Sequence, residues 1–151
     1  MRLFVVAAGK IREAGLRAAA DEYAARIRRY ARFDEIEVRS GADLGRYVPR
    51  EATLVALEPG GEALTSTGFA ERLERWTSRG KGEVAFVIGG AEGIPPQLSR
   101  AADARLSLSS LTLPHRLARV VLLEQIYRGF SILRGEPYAR ETGTGSGIRR
   151  P

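Results

Sequence analysis

Short uncharged runs of β-branched and small residues alternate along this chain with longer stretches in which apolar residues recur at helical spacing. The short runs end in glycine or turn residues, which is typical of strands buried in a parallel sheet. The runs predict strands at Arg2–Ala8, Ile36–Val38, Thr53–Leu57, Val84–Ile88 and Leu106–Leu108. The predicted helices are Ile11–Tyr30, one capped by Thr65 or Ser66 and ending at Arg79, Pro96–Ala102 and Pro114–Leu133, and Ser40–Tyr47 is predicted to be a loop or a short, degenerate helix.

The alternation of strands and helices predicts an α/β fold, a parallel sheet with helices on both of its faces. A chain of 151 residues is long enough for one domain with a real core. We assign residues 1–141 to that domain and 142–151, which are rich in Gly, Thr and Ser, to a flexible C-terminal tail. The helix from Pro114 is apolar over a wide arc, so we expect it to be buried in the core or against another subunit.

The composition excludes several classes of chemistry. The chain has no cysteine, which excludes disulfides and thiolate sites, and its one histidine argues against a zinc site. No apolar run reaches the length of a membrane span. The apolar start, Leu3–Ala8, is short and is followed at once by charged residues, so it predicts a first strand rather than a signal peptide. We expect a cytoplasmic protein without a metal or a membrane partner.

The charge points to an anionic partner, of which nucleic acid is the usual one. The chain has 24 basic and 18 acidic residues, a net charge of +6. Only Lys10 and Lys81 are lysines, so the arginine excess also fits a bias in genomic base composition. The charges are also spread along the chain rather than packed in one basic tract, which weakens the argument, so the net charge alone favours an RNA partner.

Two strand ends carry the candidate ligand site. Val84–Ile88 is followed by Gly89-Gly90, and the apolar segment Leu106–Leu113 leads directly into a helix. Open α/β folds bind ligands at such carboxyl ends. The chain lacks both G-x-G-x-x-G and G-x-x-x-x-G-K-[ST], which argues against NAD and nucleoside triphosphates. A cofactor with an adenosine but no phosphates, such as S-adenosylmethionine, fits better, although on spacing alone a simple turn explains the glycines as well.

Three further residues are candidates for chemistry. His115 either titrates near neutral pH or only caps a helix. Tyr138 and Arg140 either reach a nucleotide or fasten the C-terminus. The hydroxyl residues at 109, 110 and 112 have no acid–base partner nearby in the sequence, which argues against a serine hydrolase triad.

Several motifs together resemble the ribosomal RNA large subunit methyltransferase H family, the small single-domain branch of the SPOUT methyltransferases. They are Val87–Gly93 (VIGGAEG), Leu106–His115 (LSLSSLTLPH), Leu123–Arg128 (LEQIYR) and Pro137-Tyr138, and the resemblance extends from Leu3 to Glu141. It implies a deep C-terminal trefoil knot and a homodimer in which the last long helix packs against its mate. The implied reaction is S-adenosylmethionine-dependent methylation of N3 of pseudouridine 1915 in helix 69 of 23S rRNA, on the assembled ribosome.

The resemblance also assigns residues to roles. Tyr138 and Arg140 would lie near the target nucleotide and complete the partner subunit's site, and His115 is a further catalytic candidate. One departure concerns this half of the site, because Ala139 stands where the family commonly has a histidine. The implied cofactor contacts are Leu57, Gly89, Leu108, Ser109, Ser110, Leu111, Thr112 and Leu113.

Two other functions remain open on the sequence. A non-catalytic ribosome- or RNA-binding protein that retains the fold would not bind S-adenosylmethionine. A nucleotide-dependent enzyme such as a reductase would bind NAD or ATP, and the missing phosphate motifs argue against it. For methyl transfer, the titratable candidates are His115, Tyr138 and Glu124. We hypothesise that positioning and electrostatic stabilisation dominate, without a dedicated general base.

Overall fold

A computed structural model describes residues 1–142, and in this part of the chain five strands form one parallel sheet in the order β2-β1-β4-β3-β5. The strands are β1 Arg2–Ala8, β2 Arg32–Val38, β3 Thr53–Ala63, β4 Glu83–Ile88 and β5 Ala104–Ser107. The helices are α1 Ala14–Ile27, a 3-10 helix Gly41–Tyr47, α2 Ser66–Thr77, α3 Pro96–Ala101, α4 His115–Leu133 and α5 Pro137–Thr142. The predicted parallel α/β sheet is confirmed.

Both faces of the sheet are buried because side chains alternate between two cores. On β1, Leu3, Val5 and Ala7 face a large core that includes buried residues of α1, α2 and α4. Phe4, Val6 and Ala8 face a smaller core, which is closed by the 3-10 helix and by loop residues next to α3. The predicted placement of helices on both faces is therefore confirmed, with the three long helices all on one face.

Element boundaries differ from the predictions where tertiary contacts take over. The predicted helix from Ile11 begins only at Ala14, because Ile11 is buried and its N–H donates to Glu37 Oε2 at 3.0 Å. The second strand begins at Arg32 rather than Ile36, and β3 continues past Leu57 to Ala63. Thr65 is the cap of α2, since its Oγ1 accepts a hydrogen bond from Gly68 N at 3.0 Å.

The segment Ser40–Tyr47, predicted to be a loop or a short helix, contains the 3-10 helix Gly41–Tyr47 with Leu44 buried. The fifth strand begins at Ala104, two residues earlier than predicted. The proposed tail, residues 142–151, lies outside the described residues except for Thr142, which ends α5. Among the described residues, no helix is both long and apolar enough to cross a bilayer.

The wide apolar arc of α4 is buried mainly within the subunit's own core. Leu122, Leu123 and Ile126 are fully buried in the large core, where α4 packs against α1 and α2. Leu117 and Leu133, at the two ends of the helix, remain 39% and 36% exposed. Most of the arc is therefore explained by the core, while its ends are still available to a partner.

Candidate functional site

The carboxyl ends of three adjacent strands meet at one edge of the sheet. Leu57 of β3 is in register with Ile88 of β4 on one side and with Leu106 of β5 on the other. Gly89 follows Ile88 directly, and the 108–113 loop follows β5. The fold therefore brings to one edge Leu57, Gly89 and the start of the 108–113 loop, which are far apart in the sequence.

Gly89 begins a tight turn of the backbone. A Cβ built on Gly89 would lie 2.4 Å from the carbonyl carbon of Gly93 and 2.5 Å from its oxygen, so no side chain fits there. Gly93 donates from its N–H to the carbonyl of Gly90 at 3.0 Å, and Gly93 has a φ of +79°. The crowding inside the turn is sufficient to explain the glycine, and it leaves the backbone of this strand end uncovered by a side chain.

A second glycine brings β3 close to β5 above the same edge. A Cβ on Gly61 would lie 2.7–2.9 Å from backbone atoms of Arg105 and Leu106. The register shifts here, so that Leu106 pairs with Leu57 and then with Glu62. Between these two pairings, residues 58–61 of β3 form a bulge.

The 108–113 loop is folded by its own serines and carries no charged side chain. Ser107 Oγ donates to the carbonyl of Ser109 at 2.8 Å, and Leu111 N donates to Ser109 Oγ at 2.9 Å. Leu108 packs against the large core, whereas Leu111 is 77% exposed. A loop of uncharged, partly apolar side chains suits an adenosine that carries no phosphates, so the residues present fit S-adenosylmethionine. Within residues 1–142, no group of His, Cys, Asp or Glu side chains could hold a metal ion.

His115 lies beside the end of β1, at the same edge of the sheet. Its Nε2 would be 3.9 Å from a Cβ on Gly9, and Gly9 follows β1, the other neighbour of β4. Arg116 donates to the carbonyl of Lys10 at 2.9 Å and so ties the start of α4 to the loop after β1. His115 thus lies at the same edge of the sheet as the predicted cofactor residues.

Tyr138 and Arg140 lie elsewhere. The Tyr138 hydroxyl donates to Glu124 Oε2 at 2.6 Å, in the middle of α4, and Arg140 donates to the carbonyl of Gly135. Glu124 is nine residues along α4 from His115, or about 13 Å at 1.5 Å per residue. We call Leu57, Gly89 and the 108–113 loop the strand-end cluster. In one chain, therefore, Tyr138 and Arg140 are not brought together with this cluster.

The environment of Tyr138 keeps its hydroxyl protonated. Burial raises its pKa, and hydrogen bonds with Glu124 and Tyr23 raise it further. Arg128 also pairs with Glu124, at 2.7 Å, and lies 4.9 Å from the centre of the Tyr138 ring. A phenol with a strongly raised pKa is a poor general base near neutral pH but remains a hydrogen-bond donor.

Sequence reasoning missed a buried ionic cluster directly behind His115. Arg119, which is only 1% exposed, pairs with Glu35 at 3.2 Å and with Glu37, and donates to the carbonyl of Gly9 at 2.7 Å. Arg17 of α1 pairs with the same two carboxylates. The cluster joins α1, β2, α4 and the end of β1, and so it fixes the position of the helix that begins with His115.

Two features of the sequence could have revealed this cluster. Glu35 and Glu37 are two residues apart on a strand, which puts both carboxylates on one face. Arg119 is the charged residue within the apolar segment from Leu117 to Leu123 of α4. Carboxylates on the buried face of a strand require a cation, and an arginine inside an apolar arc is a natural candidate.

Comparisons with known proteins agree with this arrangement. The model of a family described as predicted SPOUT methyltransferases matches residues 1–139. A protein of Sorangium cellulosum (strain So ce56) named ribosomal RNA large subunit methyltransferase H is 58% identical over 144 residues, covering 92% of this chain and 99% of that protein. A protein of the same name from Anaeromyxobacter dehalogenans (strain 2CP-1) is 45% identical over 152 residues, covering 91% and 99%.

The solved structures extend the similarity in fold beyond these relatives. A probable methylase family protein from Haemophilus influenzae Rd KW20 matches with a TM-score of 0.55 at 11% identity. The match covers 99% of this chain and 70% of that chain. At so low an identity the similarity concerns the fold alone.

Proposed function

Since this chain belongs to the ribosomal RNA large subunit methyltransferase H family of SPOUT methyltransferases, we propose that it methylates N3 of pseudouridine 1915 in helix 69 of 23S rRNA. The substrate in this proposal is the assembled ribosome, and S-adenosylmethionine is the methyl donor. The observation that carries the proposal is the register of Leu57, Ile88 and Leu106, which aligns three separate motif segments at one edge of the sheet.

In this proposal the cofactor is held by the uncharged strand ends. The backbone of Gly89 and of the 108–113 loop would bind the polar edges of the adenosine, and Leu57, Leu108 and Leu113 would supply apolar contact. S-adenosylmethionine, when bound there, supplies an electrophilic methyl group on a sulfonium. The absence of charged side chains from the 108–113 loop supports this ligand over a phosphate-bearing one.

The transfer forms a bond from N3 to the methyl carbon and breaks the bond from that carbon to sulfur, while the N3 proton leaves to solvent. Positioning of the base supplies much of the catalysis. Tyr138, whose pKa is raised and whose hydroxyl donates to Glu124, remains protonated and does not accept this proton. The guanidinium of Arg140 stabilises the negative charge that develops on the uracil ring. This division of roles needs no dedicated general base.

The proposal includes a homodimer. The Tyr138 hydroxyl contacts Glu124, about 13 Å along α4 from His115, so in this proposal Tyr138 and its near neighbour Arg140 complete the site of the partner subunit rather than their own. The exposed Leu117 and Leu133 at the ends of α4 offer apolar surface for that contact. The proposal also includes the C-terminal trefoil knot, which rests on membership of the family alone.

The decisive test uses ribosomes from a strain that lacks this modification. We expect the purified protein and S-adenosylmethionine to add one methyl group, mapped by mass spectrometry to N3 of the helix 69 pseudouridine. Ribosomes incubated with protein but without cofactor are the control. A methyl group at another nucleotide would contradict the target and leave the reaction class standing.

Calorimetry with S-adenosylmethionine separates the proposal from a non-catalytic RNA-binding function. A methyltransferase binds the cofactor in the absence of RNA, with about one equivalent per competent site. Absence of binding, combined with retained affinity for ribosomes, would favour the non-catalytic alternative and overturn the proposed activity.

A further inference from the structure

An open cleft lies at the edge of the sheet opposite the candidate site, where β1 and β2 begin. Arg2 and Arg32, the first residues of these adjacent parallel strands, are in register there. The cleft has a volume of about 700 Å³. We call it the arginine cleft, and it is lined by Arg2, Arg28, Arg29, Tyr30, Ala31, Arg32, Phe33 and Asp34.

The four arginines of this cleft fall into two pairs. Arg2 donates to Asp34 at 2.8 Å, and Arg28 donates from Nε to the carbonyl of Phe33 at 3.2 Å. These two guanidinium groups are engaged with the protein and shape the walls. Arg29 and Arg32 are exposed and, within residues 1–142, form no side-chain hydrogen bond or ion pair.

The cleft has an excess of positive charge that favours binding of an anion. Among residues 1–142, Asp34 is the one acidic residue that lines the cleft, and its carboxylate is paired with Arg2. Like charges held close together repel one another, and a bound anion relieves this repulsion. Guanidinium groups bind phosphate oxygens through two parallel N–H donors, which makes arginine the favoured residue for contacts with a nucleic-acid backbone.

The cleft is far from the chemistry and on the same chain. β1 extends from Arg2 to Ala8, six steps of about 3.3 Å, so the cleft lies about 20 Å from the end of β1, where the candidate site begins. Contacts to phosphates position a protein on RNA without reading the base sequence. Two contacts about 20 Å apart would fix the orientation of a bulky RNA against one subunit.

We propose that the arginine cleft binds phosphodiester groups of the ribosomal RNA substrate at a second contact, remote from the methylated base. This inference rests on the proposed function, since it names where the same substrate is held. Arg29 and Arg32 make the contact, and Arg2 and Arg28 keep the cleft in shape. The cleft contributes to affinity for the ribosome and leaves the chemical step unchanged.

The test compares wild type with the double variant Arg29→Glu/Arg32→Glu. The control is Arg75→Glu/Arg100→Glu, which changes the net charge equally at exposed arginines of α2 and α3 that form no side-chain ion pair among the described residues. Equilibrium binding is measured with assembled ribosomes and with protein-free 23S rRNA over a series of KCl concentrations. Thermal unfolding verifies that all the proteins are folded.

For the cleft variant we expect affinity for both RNAs to fall roughly tenfold to thirtyfold near physiological salt. The slope of log affinity against log salt should become shallower by about two, one for each lost phosphate contact. KM for ribosomes should rise accordingly, while kcat at saturation and affinity for S-adenosylmethionine stay at wild-type values. The control variant should lose much less affinity.

Three results would overturn the inference. The first is an equal loss of affinity in the two variants, and the second is wild-type affinity in the cleft variant. The third is a loss of affinity for ribosomes without a loss for protein-free rRNA, because that would indicate an acidic protein surface as the partner. Failure of the proposed function looks different. In that case the wild type transfers no methyl group, and the difference in RNA affinity between the two variants persists.

Discussion

Arg119 shows how a single residue supports the site without belonging to it. It is among the largest side chains that are fully buried in the described part of the chain, and it holds two carboxylates of β2 and the carbonyl of Gly9. A buried charge of this kind is tolerable only with such partners. The same contacts fix the helix whose first residue is His115, so electrostatic stability and site geometry depend on one side chain.

Replacement of Arg119 by Met should lower the free energy of unfolding by about 3 kcal/mol, because it leaves buried carboxylates without one of their two cations. This is the lower end of the range for breaking a buried ion pair, since Arg17 still faces both carboxylates. Urea unfolding measures the change. Arg46→Met is the control, because Arg46 pairs with Asp43 on the surface and should cost less than about 1 kcal/mol. Similar losses in the two variants would contradict the special role of Arg119.

Glu37 should make stability depend on acid pH. Burial alone raises its pKa, but the hydrogen bond from Ile11 N and the contact with Arg119 outweigh burial, and the net pKa lies below the usual 4.5. A lowered pKa stabilises the fold above the unfolded-state value, and this contribution is lost as the pH falls through the folded-state pKa. Urea unfolding should therefore show a large difference between wild type and Glu37→Gln at about pH 6 that shrinks at about pH 3. A difference independent of pH would refute this assignment.

At the scale of elements, the site is built by strand ends whose glycines let backbones approach. Gly89 faces the backbone of Gly93 and Gly61 faces that of Leu106, in each case closer than any Cβ allows. The two glycines lie at the ends of neighbouring strands, β4 and β3. Backbone crowding at this edge thus shapes the turn that would meet the cofactor.

Gly89→Ala should damage this edge, whereas Gly90→Ala should not. A Cβ on Gly89 would meet backbone at 2.4 Å, so the turn must move, and we expect a loss of about 1–3 kcal/mol in stability. Cofactor affinity should fall by roughly tenfold, equivalent to about 1.4 kcal/mol. The nearest atom to a Cβ on Gly90 is 3.6 Å away, an ordinary contact. Calorimetry with S-adenosylmethionine decides, and equal effects of the two variants would show that crowding is not the cause.

At the scale of the whole molecule, three candidate contact regions are separated in space. The strand-end cluster with His115 lies at one edge of the sheet, Tyr138 lies against the middle of α4, and the arginine cleft lies at the opposite edge. In one subunit the C-terminal residues do not reach the cluster. A second copy is therefore part of the proposed active unit, and its arrangement is testable without a structure of the dimer.

Mixing two variants, each impaired on one side of the site and assayed at limiting S-adenosylmethionine, tests whether the site is shared between subunits. Gly89→Ala damages the cofactor side and Arg140→Ala the RNA side. In a mixed dimer with shared sites, one site receives both defects and the other receives none. Random reassociation makes about half of the dimers mixed, so methylation should recover to roughly a quarter of wild type. Each variant alone, unfolded and reassociated in the same way, is the control. No recovery would show that each site is contained within one chain.

Much of the fold could be predicted from local pattern. The buried runs at Arg2–Ala8 and Val84–Ile88 matched real strands within a residue because a strand buried on both faces needs uninterrupted apolar sequence. The cap at Thr65 was predictable because a hydroxyl at that position satisfies a free backbone N–H. Predicted helix and strand boundaries were wrong where a residue distant in sequence takes a backbone hydrogen bond. Glu37 does this when it accepts a hydrogen bond from the N–H of Ile11, the first residue of a predicted helix.

The sequence by itself determined the alternation of strands and helices, the lack of phosphate-binding motifs at the strand ends and the family motifs. These depend on residues within a few positions of one another, where periodicity and turn chemistry act. The tertiary structure alone decided that Leu57, Gly89 and the 108–113 loop share one edge, that Arg119 is buried against Glu35 and Glu37, and that Tyr138 is held away from His115. Strand order and the pairing of distant charges are set by packing across the whole molecule, which no local pattern encodes.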